Sequence, residues 1–337
     1  MNNSLKGKRV LVTGGCGFIG SHIVDRLVEL GSNVIILDDL STGNLDNIKH
    51  HRNKVEFVKG DIRDEALLDE ILNGVELISH QAALRSVPKS VGRPFDYHDV
   101  NVTGTLNLYL KAKERGIKRI VYASSSSVYG ERFDFPEKET DSPKPLSPYA
   151  ATKLFGEYYG YIFTKLYGLE VVSLRYFNVF GPRQSLENKY ALVVPKFITS
   201  LLNDENPSIY GDGNQERDFV YIEDVVEANI LALTKEGIEG EVFNIASSKP
   251  QSVNNLLKIL QEITAKDIDP VYLDPRPGDV RKTQGDIDRA KKLLGWHAKM
   301  DFYQGLKETV EWFSDKAIAP GVKNSELQKE SERLEKN

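Results

Sequence analysis

"RVLVTGGCGFIGS", Arg9–Ser21, decides how the chain folds. A short β-branched run stops at Gly14. A helical pattern then follows, with Phe18, Ile19, Ile23, Val24, Leu27 and Leu30 near a period of 3.6. Gly14, Gly17 and Gly20 lie between the two in a G-x-x-G-x-x-G spacing, a close relative of the dinucleotide fingerprint. Glycine is needed where a Cβ would block a pyrophosphate, and the helix N-terminus then offers free N–H groups to phosphate. Asp38 ends the next strand-like run, "NVIILDD" (Asn33–Asp39). A carboxylate there accepts hydrogen bonds from a ribose 2′-hydroxyl and repels a 2′-phosphate, so the expected cofactor is NAD rather than NADP.

Outward from that loop, the runs "VEFVKGD" (Val55–Asp61), "ELISHQA" (Glu76–Ala82), "RIVYASS" (Arg119–Ser125) and "LEVVSLRY" (Leu169–Tyr176) read as further strands. Helical segments separate them, one of them from about Pro148 to Tyr167. Strands this apolar, alternating with helices, imply an α/β fold with a doubly wound parallel Rossmann sheet buried on both faces. In "GDIRD", Asp61 and Ile62 are expected to hold an adenine by hydrogen bond and by packing. Beyond Asn178 the loops lengthen and Pro and Gly punctuate, as in "FGPRQ" and "DPRPGD". The expected organisation is a cofactor domain over 1–178, a smaller α/β substrate domain over 179–320 with an interleaved boundary, and a charged tail over 321–337.

A net charge of -5 and a pI near 5.8 speak against a nucleic-acid partner. The basic cluster Lys113–Arg119 reads as a solvated face. Cys16 is the sole cysteine, which excludes an intramolecular disulfide; it reads as a small loop residue. No apolar run approaches the roughly 18 residues of a membrane helix, and the first residues lack the apolar core of a secretion signal. The expectation is a soluble cytoplasmic protein with no membrane partner and no metal site.

Two stretches carry chemistry. "YASSSSVYG" (Tyr122–Gly130) sets four hydroxyls at the end of a strand. "SPYAATK" puts Tyr149 and Lys153 at i and i+4 on one helix face. A free phenol, with a pKa of about 10, is a poor base at neutral pH. A nearby ammonium and a nicotinamide cation lower it, as a general base for an alcohol requires.

Together, TGxxGxxG, the strand-end serine and Tyr-x-x-x-Lys resemble the extended short-chain dehydrogenase/reductase family. The wider set "SSVYG", "SPYAATK", "LRYFNVFGPRQ", "RDFVYIEDV" and "RPGDV" resembles its nucleotide-sugar 4-epimerases, most closely those acting on UDP-glucose and UDP-N-acetylglucosamine. The likeness runs from about Arg9 to Phe313. It implies that Tyr149 takes a proton from the sugar 4-hydroxyl while hydride passes from C4 to NAD. The 4-keto sugar then turns over and is reduced on its other face. Lys153 tunes Tyr149 and holds the nicotinamide ribose, and Ser125 bonds the 4-oxygen. By the same resemblance Phe18, Ile19, Ser41, Thr42, Gly43, Gln81, Ala82, Ala83, Asn101, Ser124 and Tyr176 belong to the cofactor site. From the strand alone, Ser124 reads as a cap. The sugar nucleotide falls to Ser86, Ser126, Ser127, Asn178, Gln184, Val193, Tyr210, Arg217, Arg276, Asp279 and Thr283. The position of Thr283 is bulky in epimerases restricted to UDP-glucose and small in those that accept 2-acetamido sugars. Threonine therefore implies room for an N-acetyl group. The resemblance also implies a homodimer through helices near Phe95–Arg115 and Pro148–Tyr167.

Arg85, in "AALRSVPKS", departs from the pattern, because relatives commonly carry Gly, Lys or a small residue there. A basic group at that place leaves an acidic UDP-sugar such as UDP-glucuronate as the alternative substrate. Sugar 4,6-dehydratases need an acid/base pair where this chain has Ser126 and Ser127, and an unaided hydroxyl cannot do that work. Decarboxylases place Glu where Ser127 stands. A non-catalytic NAD-binding regulator is the remote reading, since such proteins often lose the Tyr or the Lys.

Overall fold

The computed structural model describes residues 3–185, 193–275 and 280–318. In chain order the strands are β1 (Arg9–Thr13), β2 (Asn33–Asp38), β3 (Val55–Lys59), β4 (Leu77–His80), β5 (Arg119–Ser125), β6 (Glu170–Tyr176), β7 (Asn178–Phe180), β8 (Ser208–Tyr210), β9 (Glu216–Arg217), β10 (Phe219–Tyr221), β11 (Val242–Ile245), β12 (Gln251–Ser252) and β13 (Val271–Leu273). The helices are α1 (Phe18–Glu29), α2 (Glu65–Ile71), α3 (Val87–Gly92), α4 (Pro94–His98), α5 (Thr105–Glu114), α6 (Pro148–Tyr167), α7 (Val193–Leu202), α8 (Ile222–Thr234), α9 (Val253–Thr264) and α10 (Phe302–Ile318).

Seven strands form one parallel sheet in the order β11-β6-β5-β4-β1-β2-β3. Alternation along β1 shows why both faces are covered. Val10 and Val12 pack with Ile23, Val24 and Leu27 of α1, whereas Leu11 packs on the other face with Ile35, Ile78 and Ile120. Each such side chain, fully buried, contributes about 1.5–3 kcal/mol. The strand order reverses between β1 and β4, and a crevice opens at that switch point beyond the carboxyl ends of the strands.

The chain after Asn178 serves both regions. It forms the small paired strands β7–β10, β9–β12 and β8–β13, yet α8 packs on α1, β4, β5 and β6, and β11 completes the large sheet beside β6. Helix α6 starts where Ser147 accepts from the Ala150 N–H, with Pro148 in its first turn, and stops at left-handed Gly168. That fixes which turn carries Tyr149 and Lys153.

The basic run 113–119 is not wholly a solvated face. Arg119 is 2% exposed and pairs with Glu170 (2.6 Å) and Glu239 (3.0 Å), and also bonds the Ala232 and Lys235 carbonyls. It opens β5, and its charge is matched by carboxylates rather than by water.

Candidate active site

The crevice holds a cavity of about 660 Å³. Gly14, Gly17, Phe18, Ile19 and Gly20 form one wall. Gly14 has φ +67°, and a Cβ there would lie 2.8 Å from the Ala82 nitrogen of the loop after β4. A Cβ on Gly20 would lie 2.1 Å from the Gly14 carbonyl oxygen, so glycine alone allows α1 to pack this close to the loop. Gly17 caps α1 with no side-chain bond to the first-turn N–H groups. Donors at this end are thus left to a ligand.

Asp38 is buried beside that wall. Its carboxylate accepts from the Cys16 N–H (2.9 Å) and the Leu40 N–H (2.9 Å), and burial pushes its pKa up. A Cβ on Gly43 would come within 2.6 Å of this carboxylate. Burial, with Asp38 second, pushes the Cys16 thiol up to about 12, so it is inert. Ser41, Thr42, Asp61 and Ile62 continue the lining. Asp61 is also tied to Arg63, at 2.6 Å. The glycine cradle, the helix end and the buried acid fit an NAD molecule.

Gln81, Ala82, Ala83, Arg85, Ser124, Tyr149, Lys153 and Tyr176 also line the cavity. Ser125 caps the short helical turn Ser126–Tyr129. Its Oγ accepts from the Ser127 N–H (3.2 Å) and the Ser127 hydroxyl (2.9 Å). With its lone pairs so used, its own hydrogen is directed at Tyr149, and that bond lowers the acidity threshold of the phenol. Burial is the larger effect and pushes the Tyr149 pKa up; the Arg85 charge opposes it. Burial brings Lys153 down to about 7 while its ammonium donates to the Ala123 carbonyl at 2.7 Å.

The capping serine is therefore Ser125 and not Ser124, which corrects the expectation from the strand. The Ser124 hydroxyl donates instead to Glu157, four residues along α6 from Lys153. Arg175 holds both Glu157 oxygens (2.9 and 2.7 Å), with both side chains 4% exposed. Its guanidinium lies 4.7 Å from the Tyr129 ring centroid, and Tyr129 bonds Asn244 of β11 at 2.7 Å. Sequence reasoning passed over Glu157, Arg175 and Asn244. The i+4 spacing of Glu157 from Lys153 was the one signal available.

A second group gathers around β9 and the strand-like segment after residue 280. The Asn178 carboxamide donates to the Thr283 hydroxyl (3.3 Å) and to the Asp218 carbonyl (3.2 Å). Thr283 Oγ1 also accepts from the Asp218 N–H at 3.1 Å. Buried Asp218 accepts from the Gly285 N–H, and buried Glu137 from the Gln284 N–H. Arg217 lies in β9 in the same group, its guanidinium donating to the Glu216 carbonyl at 2.8 Å. Gln184 is 2% exposed, lines the cavity and donates to the Val179 carbonyl, leaving its Oε1 without a partner.

Other expected residues stand back from the cavity lining. Asn101 clamps both backbone polar groups of Leu84 (2.7 and 3.0 Å) and reaches Thr152, so it steadies the loop that carries Arg85. Ser86 caps α3 at φ +113°, and Tyr210 and Val193 lie on β8 and at the start of α7. Ser126 lies in the turn that Ser125 caps. Arg276, Asp279 and the tail 321–337 fall outside the described residues. Among the described residues Asp25, His50 and His51 bring metal-type ligand atoms within 4.8 Å of one another. Arg183 bonds Asp25 at 2.7 Å, and its fixed charge disfavours a cation there.

A family model described as the NAD dependent epimerase/dehydratase family matches residues 10–246. A putative UDP-glucose 4-epimerase of Methanocaldococcus jannaschii is 44% identical, over 91% of this chain and 98% of its own length. A UDP-glucuronate 4-epimerase of Thermodesulfobacterium geofontis is 35% identical, over 90% and 95%. Among solved structures, a UDP-N-acetylglucosamine 4-epimerase from Methanobrevibacter ruminantium, in complex with UDP-N-acetylmuramic acid, superposes with a TM-score of 0.88. It is 44% identical, and the match covers 92% of this chain and 99% of that one.

Proposed function

The chain belongs to the NAD-dependent epimerase/dehydratase family, and we propose that within it this protein inverts C4 of a UDP-hexose, with UDP-N-acetylglucosamine and UDP-N-acetylgalactosamine as the preferred pair and UDP-glucose and UDP-galactose as further substrates. The observation that carries the reading is the Ser127–Ser125–Tyr149 hydrogen-bond chain, which reaches the cavity at Tyr149 and has no carboxylate among its members. That set moves one proton on and off an alcohol and has no group to expel water from a neighbouring carbon.

Bound NAD supplies the acceptor, and then the donor, of the hydride at the sugar C4. The chain's own residues manage the proton and the charge. Tyr149 takes the proton from the 4-hydroxyl and returns it. Ser125, its lone pairs occupied by Ser127, stabilises the negative charge on the phenol oxygen. Burial draws the Lys153 pKa down to about 7, and ribose hydroxyls of a bound cofactor would favour its charged form by accepting hydrogen bonds from it.

The acetamido preference rests on Thr283, whose short side chain is held by Asn178 and the Asp218 backbone. The Methanobrevibacter ruminantium relative, named for UDP-N-acetylglucosamine, points the same way. Arg85 supports a second reading, an acidic sugar such as the glucuronate of the Thermodesulfobacterium relative, because its side chain lines the cavity. A second copy of the chain is part of the proposal. Phe155, Tyr158, Tyr161, Ile162 and Leu166 expose an apolar face at helical spacing on α6, and Phe95 of α4 is 77% exposed. No described helix is long and apolar enough to cross a membrane, and a cytoplasmic setting is part of the same proposal. The test is a panel of UDP-glucose, UDP-N-acetylglucosamine, UDP-glucuronate and UDP-N-acetylmuramate followed by NMR. Inversion at C4 of the acetamido sugar is expected; inversion of UDP-glucuronate alone would overturn the first choice.

A further inference from the structure

Asn229 belongs to α8, far in sequence from the glycine loop and from the Tyr-x-x-x-Lys pair, and it is fully buried. Its side chain nevertheless meets two cavity-lining residues, Gln81 just beyond β4 and Tyr176 at the end of β6. Asn229 Nδ2 donates to the Val225 carbonyl of its own helix (2.8 Å) and to the Tyr176 hydroxyl (2.9 Å). Asn229 Oδ1 accepts from Gln81 Nε2 at 3.2 Å and lies 3.1 Å from the Tyr176 hydroxyl. Gln81 Nε2 also donates to Ser79 Oγ (3.0 Å), and Gln81 Oε1 lies 3.2 Å from the Tyr176 hydroxyl.

These bonds fix one another's direction. A backbone carbonyl only accepts, so Val225 decides which end of the Asn229 carboxamide is nitrogen. Oδ1 must then face Gln81, which forces the Gln81 nitrogen toward α8 and Ser79. The Gln81 oxygen is left facing the Tyr176 hydroxyl. Burial pushes the Tyr176 phenol up to about 12, so it stays a neutral hydroxyl whose single hydrogen is spent within this triad. The pair at the carboxyl ends of β4 and β6 is thus oriented by a helix carbonyl through one asparagine.

We propose that Asn229 is a positioning residue for the cofactor. It locks the Tyr176 hydroxyl and the Gln81 carboxamide into one arrangement on the cavity wall. Asn229 touches neither sugar nor reacting atoms; it acts through residues that do face the cavity. Without it the Gln81 carboxamide is free to turn over, and the Tyr176 ring loses its anchor.

The test compares Asn229→Ala, Tyr176→Phe and the double variant in the full chain. The readouts are NAD dissociation constant, kcat, KM for the UDP-sugar and thermal midpoint. Loss of the anchor is expected to weaken NAD binding about tenfold and to lower kcat, with KM for the UDP-sugar changed by less than about twofold. Because both substitutions break one network, the double variant is expected to bind NAD no worse than the poorer single. Asn229→Leu keeps the approximate size and loses both donor and acceptor, so neither Gln81 nor Tyr176 is held. Its affinity is expected to match that of Asn229→Ala. Multiplying losses in the double variant, or unchanged NAD affinity in a folded Asn229→Ala, would overturn the proposal. If Asn229→Ala does not fold, Asn229→Leu with unchanged NAD affinity does the same. The NAD-binding arm is independent of which sugar turns over, so it stands or falls apart from the epimerase reading.

Discussion

Lys153 is held at a cost, and removing it should stabilise the ligand-free fold while disabling the enzyme. Its side chain is 3% exposed, and burial brings its pKa from the ordinary 10.5 to about 7. At 1.36 kcal/mol per pH unit, that gap amounts to a penalty of up to about 5 kcal/mol at low pH and about 4 at pH 7. Lys153→Met keeps the length and apolar stem. It loses the bond to the Ala123 carbonyl (2.7 Å), worth about 1 kcal/mol. The expected gain is therefore about 3 kcal/mol at pH 7, read by urea unfolding of nucleotide-free protein.

The pH dependence gives the sharper test. Folded Lys153 holds its proton more weakly than unfolded Lys153. Between about pH 7 and pH 10.5 the unfolded chain binds more protons, so wild-type stability rises with pH through that window. The Met variant lacks this rise, so its advantage should shrink steadily, vanish at about pH 10, where the remaining penalty equals the lost hydrogen bond, and reverse above it. Turnover should fall by at least about 10²-fold. A variant less stable than wild type at pH 7, or a stability difference that does not change with pH, would refute the desolvation argument.

Ser125→Ala should lower kcat by about 10²-fold with UDP-sugar affinity within about twofold, measured by turnover and calorimetry; an equal loss in binding and kcat counts against its role in stabilising the Tyr149 phenolate. Thr283→Tyr should depress kcat/KM for the acetamido sugar far more than for UDP-glucose, and an unchanged ratio would sink the size argument. Glu157→Gln leaves the Arg175 charge buried without its partner and should cost about 3 kcal/mol in denaturant unfolding. Replacing both, as Glu157→Leu with Arg175→Met, should recover most of that; if the double variant is as unstable as the single, the buried charge is not the cause.

The sequence by itself determined the parts whose physics is local. A glycine needed at Gly14 or Gly20 answers to a turn and a helix start a few residues away. Tyr149 and Lys153 share a face because an α-helix repeats every 3.6 residues. The apolar runs announced a sheet covered on both sides for the same kind of reason. The proposed sugar positions Asn178, Gln184 and Thr283 rest on resemblance and not on any local pattern. Tertiary structure alone decided which of four serines does what: Ser124 meets the Glu157–Arg175 pair, and Ser125 caps the next turn and meets Tyr149. It also decided that Arg119 is buried, that Glu137 and Asp218 hold the backbone beside Thr283, and that Asn229 orients Tyr176 and Gln81. Apart from the cap that Ser125 makes on Ser127, these contacts join residues from about twenty to about 150 positions apart. Their meeting depends on strand order in the sheet and on which helix covers which face, and the spacing of residues in the chain carries no record of either.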